Sequence, residues 1–302
     1  MSDWTRRDFL RTAGGLGLGA VALPTLTPLP AFAAGWHRSN ADPVRIGVIG
    51  CGGRGTGAAV NALEAHPSTK IVALADLFED RLNGSRSYLE QQEDFTGRVD
   101  IADRAFTGFD CYTQLLALND IDLVILATPP GFRPIHFAAA VNTGKHVFME
   151  KPVAVDPAGV RTVIAAAEQA KAQNLSVVAG TQRRHEKSYL EALDRITSGA
   201  IGEIHSARCA WNQGGLWVHE RKPEYTDMEW QCRNWLYFCW LSGDHIVEQH
   251  VHNLDVINWA MGGPPTRAYG TGGRQVRTDD KYGNIFDHFA IEYEYPDGRR
   301  CL

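Results

Sequence analysis

One stretch decides the fold of this chain: Val44-Arg45-Ile46-Gly47-Val48-Ile49-Gly50-Cys51-Gly52-Gly53-Arg54-Gly55. Its β-branched start predicts a short buried strand, which runs directly into the pattern Gly-x-Gly-x-x-Gly. In this pattern Gly50 makes the tight turn, Gly52 leaves room for a pyrophosphate, and Gly55 lets the next helix lie close to the strand. The free N–H groups and the dipole of that helix favour phosphate charge. The stretch therefore predicts a dinucleotide-binding turn.

A second strand and an acidic residue follow where such a turn requires them. The apolar run at 71–75 ends at Asp76, about 20 positions after Gly55, and a carboxylate at this place binds the ribose hydroxyls. The alternative is a surface turn with Asp76 as a cap. Strand, glycines, helix, strand and acid occur in the expected order, which favours the dinucleotide site.

Composition limits the classes of function. The chain has 302 residues, 44% of them hydrophobic and 22% charged, which is ordinary for a globular enzyme. Its net charge is −5 and it has no basic block, so nucleic-acid binding has no electrostatic support. Six scattered cysteines without a C-x-x-C pair argue against a structural zinc site and a disulfide scaffold.

The N-terminal residues have the pattern of a targeting signal. Arg6 and Arg7 precede Phe-Leu, a mildly apolar segment follows, and small residues end it near Ala33. This pattern resembles a twin-arginine (Tat) export signal at 1–33, cleaved near Ala33, and it predicts a periplasmic protein that engages the Tat machinery. An amphipathic helix is the alternative, which the glycines and prolines disfavour.

The remaining chain divides into a linker and two domains. After a linker at 34–43, strands and helices alternate over 44–180, which predicts a doubly wound parallel sheet, the Rossmann arrangement. The predicted strands are 44–49, 70–75, 122–127, 146–149 and 176–179; the predicted helices are 54–64, 79–91, 110–118, 132–143 and 156–172. The polar region at 92–110 stays unassigned.

The second domain, at 181–302, has a different texture. A helix at 186–196, a strand near 203–212, a helix at about 245–259 and strands at 266–276 and 285–295 predict an α+β domain with a mostly antiparallel open sheet. The turn Pro296-Asp297-Gly298 calls for a returning strand that barely begins. We therefore expect a fragment, or a sheet with an unusually bare edge.

Two strand ends in the first domain carry candidate chemistry. The strand at 122–127 ends at Thr128 and Pro129, and the strand at 146–149 ends at Glu150 and Lys151. Both ends face the cofactor cleft of a doubly wound sheet. Lys151 there can stabilise a developing alkoxide or lower the pKa of a nearby base, although a solvated lysine is the alternative.

The helix around His252 carries the third candidate group. Glu248 and His252 lie four positions apart, and Asp255 follows three later, so we expect them on one helix face. A carboxylate one turn from an imidazole orients it and raises its basicity, which suits a general base. Metal binding and a buried structural helix are the alternatives; the spacing matches no zinc motif, and no metal is predicted.

These motifs together resemble the Gfo/Idh/MocA oxidoreductases, the group of glucose–fructose oxidoreductase and inositol dehydrogenase. The resemblance rests on the glycine turn, Ala-Thr-Pro-Pro at 127–130, Met-Glu-Lys-Pro at 149–152 and the His-Asn-Leu-Asp helix, and it spans about 44 to 295. It implies that Lys151 touches the reacting hydroxyl and that His252 accepts its proton. Many members have Asp where this chain has Glu248, and members usually continue past this chain's end.

The resemblance also organises the binding residues. The expected cofactor residues are Gly50, Cys51, Gly52, Gly53, Arg54, Gly55, Asp76, Thr128, Pro129, Glu150 and Lys151. The expected substrate residues are Arg183, Arg184, Trp211, Asn234, Trp235 and Asp255. Asp76 indicates NAD, while Arg81 or Arg86 near a 2′-phosphate would allow NADP. An open sheet of this kind tends to pair, which predicts a homo-oligomer.

The sequence thus predicts an NAD(P)-dependent oxidoreductase that acts on a hydroxyl group of a sugar, polyol or glycoside and holds its cofactor tightly. The alternative is an NAD-dependent glycoside hydrolase that uses transient C3 oxidation and elimination; such relatives tend to depart from Glu-Lys-Pro. A third hypothesis is a cofactor-holding subunit without turnover.

Overall fold

The computed structural model describes residues 42–302. The predicted signal at 1–33 and nearly all of the linker at 34–43 lie outside the described residues. Within them the chain forms a six-stranded sheet followed by a four-stranded sheet. The predicted combination of a doubly wound sheet and an α+β domain is confirmed.

All strands of the first sheet are parallel, in the order β3-β2-β1-β4-β5-β6. They are β1 (Val44–Ile49), β2 (Thr69–Asp76), β3 (Ala105–Thr107), β4 (Leu123–Leu126), β5 (His146–Met149) and β6 (Val177–Ala179). The order reverses at β1, which pairs with both β2 and β4. Such a switch point opens a crevice at the carboxyl ends of the strands, and β1 runs into the glycine turn there.

The helices of the first domain cover both faces of the sheet. They are α1 (Gly53–Ala65), α2 (Glu79–Glu90), α3 (Cys111–Leu116), α4 (Arg133–Asn142) and α5 (Pro157–Ala172). Ile46, Leu74 and Leu63 pack in one buried cluster, and Leu126, Val124 and Phe137 pack in another. Because both faces are covered, the central strands are apolar along most of their length.

The strand β3 was missed by the sequence pattern. It lies in the polar region at 92–110, and it has only three residues, none of them fully buried. Leu74 and Asp76 of β2 pair with Ala105 and Thr107. β3 is therefore a strand because it pairs with the open edge of β2, and not because it has a hydrophobic run of its own.

The second domain is a mixed sheet with short helices. Its strands are β7 (Ser206–Ala207), β8 (Arg267–Gly273), β9 (His288–Glu294) and β10 (Arg300–Cys301), and its helices are α6 (Lys187–Thr197), α7 (Asp227–Arg233), α8 (Cys239–Ser242), α9 (Asp244–Glu248) and α10 (Val251–Met261). Short 3-10 helices span Glu93–Phe95, Pro130–Phe132, Gln182–His185, Trp235–Tyr237 and Asp280–Tyr282.

Two predicted elements of this domain were wrong in extent. The strand predicted near 203–212 pairs only at Ser206–Ala207, because its partner β10 offers two residues in register. The helix predicted at about 245–259 is divided into α9 and α10. The strand expected after Pro296-Asp297-Gly298 is β10, which pairs antiparallel with β9.

The two domains share a buried cluster at the cofactor edge of the first sheet. Phe132, which follows β4, packs with Leu236, Phe238 and Leu241 of the second domain. Phe78, which follows β2, packs against the same cluster. The second domain is therefore fixed over the carboxyl ends of the parallel strands. No helix within 42–302 is long and apolar enough to cross a membrane.

The glycine pattern predicts opposite effects at two positions of α1. An added Cβ at Gly55 would lie 1.7 Å from the Gly50 carbonyl oxygen, whereas an added Cβ at Gly57 has no atom within 4 Å. Gly55→Ala should destabilise the fold by about 2 kcal/mol or more through overpacking. Gly57→Ala, the matched control, should stabilise it by about 0.5–1 kcal/mol through helix propensity. Chemical denaturation measures both; equal effects would contradict the close helix–strand contact.

Candidate active site

The phosphate turn has the geometry that a dinucleotide requires. Gly50 has φ of +100°, and a Cβ there would lie 2.6 Å from Ala127 C and Thr128 N, so only glycine fits. A Cβ at Gly52 would meet no atom nearer than Arg81 Nη1 at 3.9 Å. The space above Gly52 is therefore open, and α1 begins immediately after it with its N–H groups available to an anion.

Asp76 lies at the end of β2 and is tied to the same turn. Its Oδ2 accepts a hydrogen bond from Cys51 N at 2.6 Å, and its Oδ1 accepts one from Phe78 N at 2.8 Å. Burial raises the pKa of the carboxyl group, and these backbone donors oppose that rise. Each oxygen keeps a second lone pair for a ribose hydroxyl. Asp76 thus both shapes the phosphate turn and presents an acceptor beside it.

A cavity of about 440 Å³ extends from the phosphate turn to the second domain. Seven of the expected cofactor residues line it: Gly50, Gly52, Gly53, Arg54, Asp76, Thr128 and Pro129. Trp217 and Trp235 line it from the second domain. A second depression, of about 490 Å³, lies between α1 and α2 on the outer surface, and all the residues that line it belong to the first domain. The enclosed cleft is therefore the better candidate for the nucleotide.

Glu150, Gly55 and Cys51 support the phosphate turn but do not line the cavity. Glu150 Oε1 and Arg54 Nε form an ion pair at 2.8 Å, which connects the end of β5 to α1. Gly55 packs on Gly50, as described above. Cys51 donates from its thiol to the Ala75 carbonyl, and burial raises the pKa of this thiol. Cys51 is therefore a neutral, unpaired thiol under the turn.

Lys151 connects the first domain to the second. Its Nζ donates to Glu248 Oε1 at 2.6 Å and to the Glu248 carbonyl oxygen at 2.7 Å. Both side chains are largely buried, with 16% and 8% of their surfaces exposed. Glu248 Oε2 is also buried and has no hydrogen-bond partner among the described residues. The ammonium group is therefore fixed at the strand end by an ion pair that crosses the domain boundary.

The same contact explains why the predicted helix is interrupted. In a continuous helix the Glu248 carbonyl would accept the N–H of His252, four residues later. Here Lys151 Nζ occupies that carbonyl, His252 N donates to Gln249 O at 3.4 Å, and His250 N donates five residues back to His245 O. Glu248 and His252 therefore do not share one helix face. The carboxylate of Glu248 contacts Lys151 instead of orienting the imidazole.

His252 lies at the start of α10, within electrostatic range of Lys151. Its ring stacks on Trp211, with centroids 5.8 Å apart and planes inclined by 26°. Burial first, and then the charges of Lys151 and Arg183, lower the pKa of His252 to about 4, while Asp255 opposes that lowering. The imidazole is therefore neutral at ordinary pH and can accept a proton. Lys151 and His252 come from separate domains and lie within each other's electrostatic range.

The structure brings four of the six expected substrate residues around His252. Arg183 donates to the Asn253 side chain, and its guanidinium carbon lies 5.9 Å from the centroid of the Trp211 ring. Arg184 makes a two-pronged ion pair with Asp255, at 2.8 and 2.9 Å. Both guanidinium groups thus already have partners within the protein, and the two arginines form one side of the surroundings of the imidazole. Their contact with a substrate stays a prediction.

The other two expected substrate residues lie elsewhere. Asn234 is completely buried; its Oδ1 accepts from His219 N at 3.0 Å, and its Nδ2 donates to Lys281 O at 2.8 Å. This favours a structural role. Trp235 lines the nucleotide cavity with Trp217 rather than the space near His252. Sequence reasoning missed His219, because its loop has no motif or regular secondary structure.

The electrostatic effect of Lys151 on His252 gives a direct prediction. Lys151→Met should raise the pKa of His252 above about 4, because the lost cation no longer disfavours the imidazolium. An NMR titration of the imidazole resonances measures it. Lys171→Met, which removes an exposed lysine on α5, should leave the pKa unchanged. An unchanged pKa in Lys151→Met would contradict the proximity of the two groups.

Comparisons with known proteins agree with this geometry. Residues 44–179 match the family described as "Oxidoreductase family, NAD-binding Rossmann fold", and residues 189–302 match the "GFO/IDH/MocA C-terminal domain". The chain is 30% identical, over 56% of its length and 45% of the relative's, to the dTDP-3,4-didehydro-2,6-dideoxy-alpha-D-glucose 3-reductase of Actinomadura kijaniata. It is 32% identical, over 51% of its length and 34% of the relative's, to a glycosyl hydrolase family 109 protein of Solibacter usitatus.

The fold is also similar to a solved structure. Myo-inositol 2-dehydrogenase from Lactobacillus plantarum superposes with a TM-score of 0.63 at 23% identity, covering 86% of this chain and 68% of that one. The chain spans less than half the length of the two curated relatives named above. Residues 44–179 form an NAD-binding Rossmann domain. With matches to both domains of one family, the chain belongs to the Gfo/Idh/MocA oxidoreductases.

Proposed function

We propose that the protein transfers hydride between a tightly held nicotinamide cofactor and a hydroxyl-bearing carbon of a sugar, polyol or glycoside. One observation carries the proposal. Lys151, at the cofactor edge of the first sheet, and His252, from the second domain, lie within electrostatic range of each other, and Glu150, next to Lys151, pairs with Arg54, which lines the nucleotide cleft. A cation and a neutral imidazole at this edge are the two groups that alcohol oxidation requires of the protein.

The residues present fit a dinucleotide. The turn at Gly50 and Gly52 leaves space for the pyrophosphate, and Asp76 presents its carboxylate beside that space. When bound, the nicotinamide supplies a hydride acceptor that no amino-acid side chain can provide. The residues of the protein position the substrate carbon and transfer the hydroxyl proton.

His252 transfers the proton of the substrate hydroxyl, and Lys151 stabilises the negative charge on its oxygen. With its pKa lowered to about 4, His252 is neutral and takes the hydroxyl proton as general base. The Lys151 ammonium, held by Glu248, stabilises negative charge that develops on the same oxygen. Trp211 covers one face of the imidazole and keeps water from it. In the opposite direction His252 returns the proton to the alkoxide.

The substrate class is supported by relatives rather than by a direct contact. Relatives of this chain include the sugar 3-reductase and the family 109 glycosyl hydrolase named above. A glycosyl hydrolase among them favours a second candidate, an NAD-dependent glycoside hydrolase with transient C3 oxidation and elimination. The first candidate requires net oxidation of one substrate, whereas the second leaves the cofactor unchanged.

His252→Asn should lower the turnover number by about 10² or more, because general-base catalysis contributes about 10²–10⁴. The assay supplies NAD with a panel of sugars, polyols and glycosides and follows the absorbance of the reduced nicotinamide. His205→Asn, which alters an exposed histidine of the same domain, is the control and should retain full activity.

The products separate the candidates. A keto product with reduced cofactor supports the oxidoreductase, while a free sugar and released aglycone without reduced cofactor support the hydrolase.

Native mass spectrometry should show a bound dinucleotide. It also gives the subunit count. That count tests our proposal that copies of the chain pair through the edge strand β8, which exposes Tyr269. No bound dinucleotide and no cofactor reduction with any substrate would contradict the proposed function.

We also propose that the protein is exported to the periplasm by the Tat route and loaded with its cofactor beforehand. The support is the pair Arg6 and Arg7 before the apolar segment that ends near Ala33. Replacing both with lysine should keep the protein in the cytoplasm, measured by cell fractionation. Arg11→Lys is the control and should not alter export. Export of the double variant at the original level would overturn the Tat assignment.

A further inference from the structure

The nucleotide cavity is closed on one side by the second domain. Residues of this cover line the same cavity as the phosphate turn: Trp217, His219, Cys232, Arg233 and Trp235. They face Phe78 and Arg81, which follow β2. Because Asp76 at the end of β2 marks the ribose position, this cover lies over the adenosine half of the cleft. The residues that line this cavity do not include Lys151 or His252, so the proposed proton transfer gives the cover no role.

Arg233 fastens the cover to the first domain. Its Nη1 lies 2.9 Å from Asp80 Oδ2 and its Nη2 lies 3.2 Å from Asp80 Oδ1, in the two-pronged arrangement. The guanidinium carbon also lies 3.9 Å from the centroid of the Phe78 ring. Its Nε donates to Glu229 Oε1 at 3.0 Å, which fixes the side chain to its own helix α7. One side chain thus joins α7 to the start of α2.

A second contact lies beside the first. His219 Nε2 is 3.3 Å from Arg81 Nη2. Burial lowers the pKa of His219, and Arg81 and Arg233 lower it further, so the neutral ring accepts from Arg81. Trp230 Nε1 donates to His219 O at 3.0 Å, which connects this loop to α7. The two contacts therefore belong to one connected part of the second domain.

We propose that these contacts, Arg233 with Asp80 and Phe78 and His219 with Arg81, form a clasp that retains the bound dinucleotide. The inference rests on the proposed function and deepens it, since it assigns cofactor retention to named residues. A nucleotide that leaves at the adenosine end must pass between α2 and the cover. The clasp holds those two elements together, so its opening precedes release and sets the dissociation rate.

The test measures NADH dissociation from the full chain, with the fluorescence of bound NADH followed by stopped flow after excess NAD is added. Asp80→Asn removes the charge pair, and Arg233→Lys keeps the charge but loses the two-pronged, stacked geometry. Each should raise the dissociation rate about tenfold, with the association rate changed less than threefold. The double variant should release NADH no faster than the faster single variant, because both remove one interaction.

Asp120→Asn is the matched control. Asp120 Oδ2 also pairs with an arginine, Arg104 Nη1 at 2.7 Å, but both residues belong to the first domain. Its NADH dissociation rate should stay within twofold of the original. Asp80 is 63% exposed, so Asp80→Asn should fold normally and keep the test decisive. Release from Asp80→Asn at the original rate would overturn the clasp and leave the proposed function standing. Failure of the unaltered protein to bind NADH would overturn both.

Discussion

The contact between Lys151 and Glu248 is the constraint on which the active site depends. It joins the last residues of a parallel strand to a helix of the other domain through two hydrogen bonds to one ammonium group. A buried ion pair contributes little net stability, because desolvation offsets the attraction, yet loss of one partner costs about 3–5 kcal/mol. Its main effect is therefore positional: it fixes where the second domain presents the helix that carries His252.

That position has a consequence for the base. Since Lys151 takes the Glu248 carbonyl, the helix is interrupted and restarts at Val251, which sets His252 at the beginning of α10. The imidazole then lies within electrostatic range of the ammonium and stacks on Trp211. Lys151 thus binds the helix at its interruption and adds to the lowering of the His252 pKa, of which burial is the larger cause. Its ammonium group also supplies positive charge at this edge of the sheet.

The sequence predicted what local patterns determine. The run into Gly50, the helix after it and the carboxylate of Asp76 are set by short-range sterics and hydrophobic periodicity, and their arrangement is as expected. Local position made Lys151 and His252 candidates, with a solvated lysine and a buried structural helix as alternatives, and the family resemblance added their roles. The interruption of the helix at 249–250 was not predictable, because its cause is a residue 97 positions earlier in the chain.

The same distinction applies to the surroundings of the site. Nothing near Asn234 in the sequence shows that its amide is used by a distant backbone carbonyl, and β3 exists only because β2 offers an open edge. His219 reaches Arg81 across 138 positions. Long-range pairings of this kind decide the cover of the nucleotide cleft, whereas the phosphate turn is decided within twelve residues.

The choice between NAD and NADP follows from the partners that Asp76, Arg81 and Arg86 already have. Asp76 is held by two backbone donors, so its negative charge stays beside the ribose position. Arg86 Nε pairs with Glu90 Oε1 at 2.8 Å, and Arg81 contacts His219. A 2′-phosphate would have to displace these partners and approach a carboxylate at the same time. The charge distribution at this end of the cleft therefore favours NAD, in agreement with the NAD-binding family to which the domain belongs.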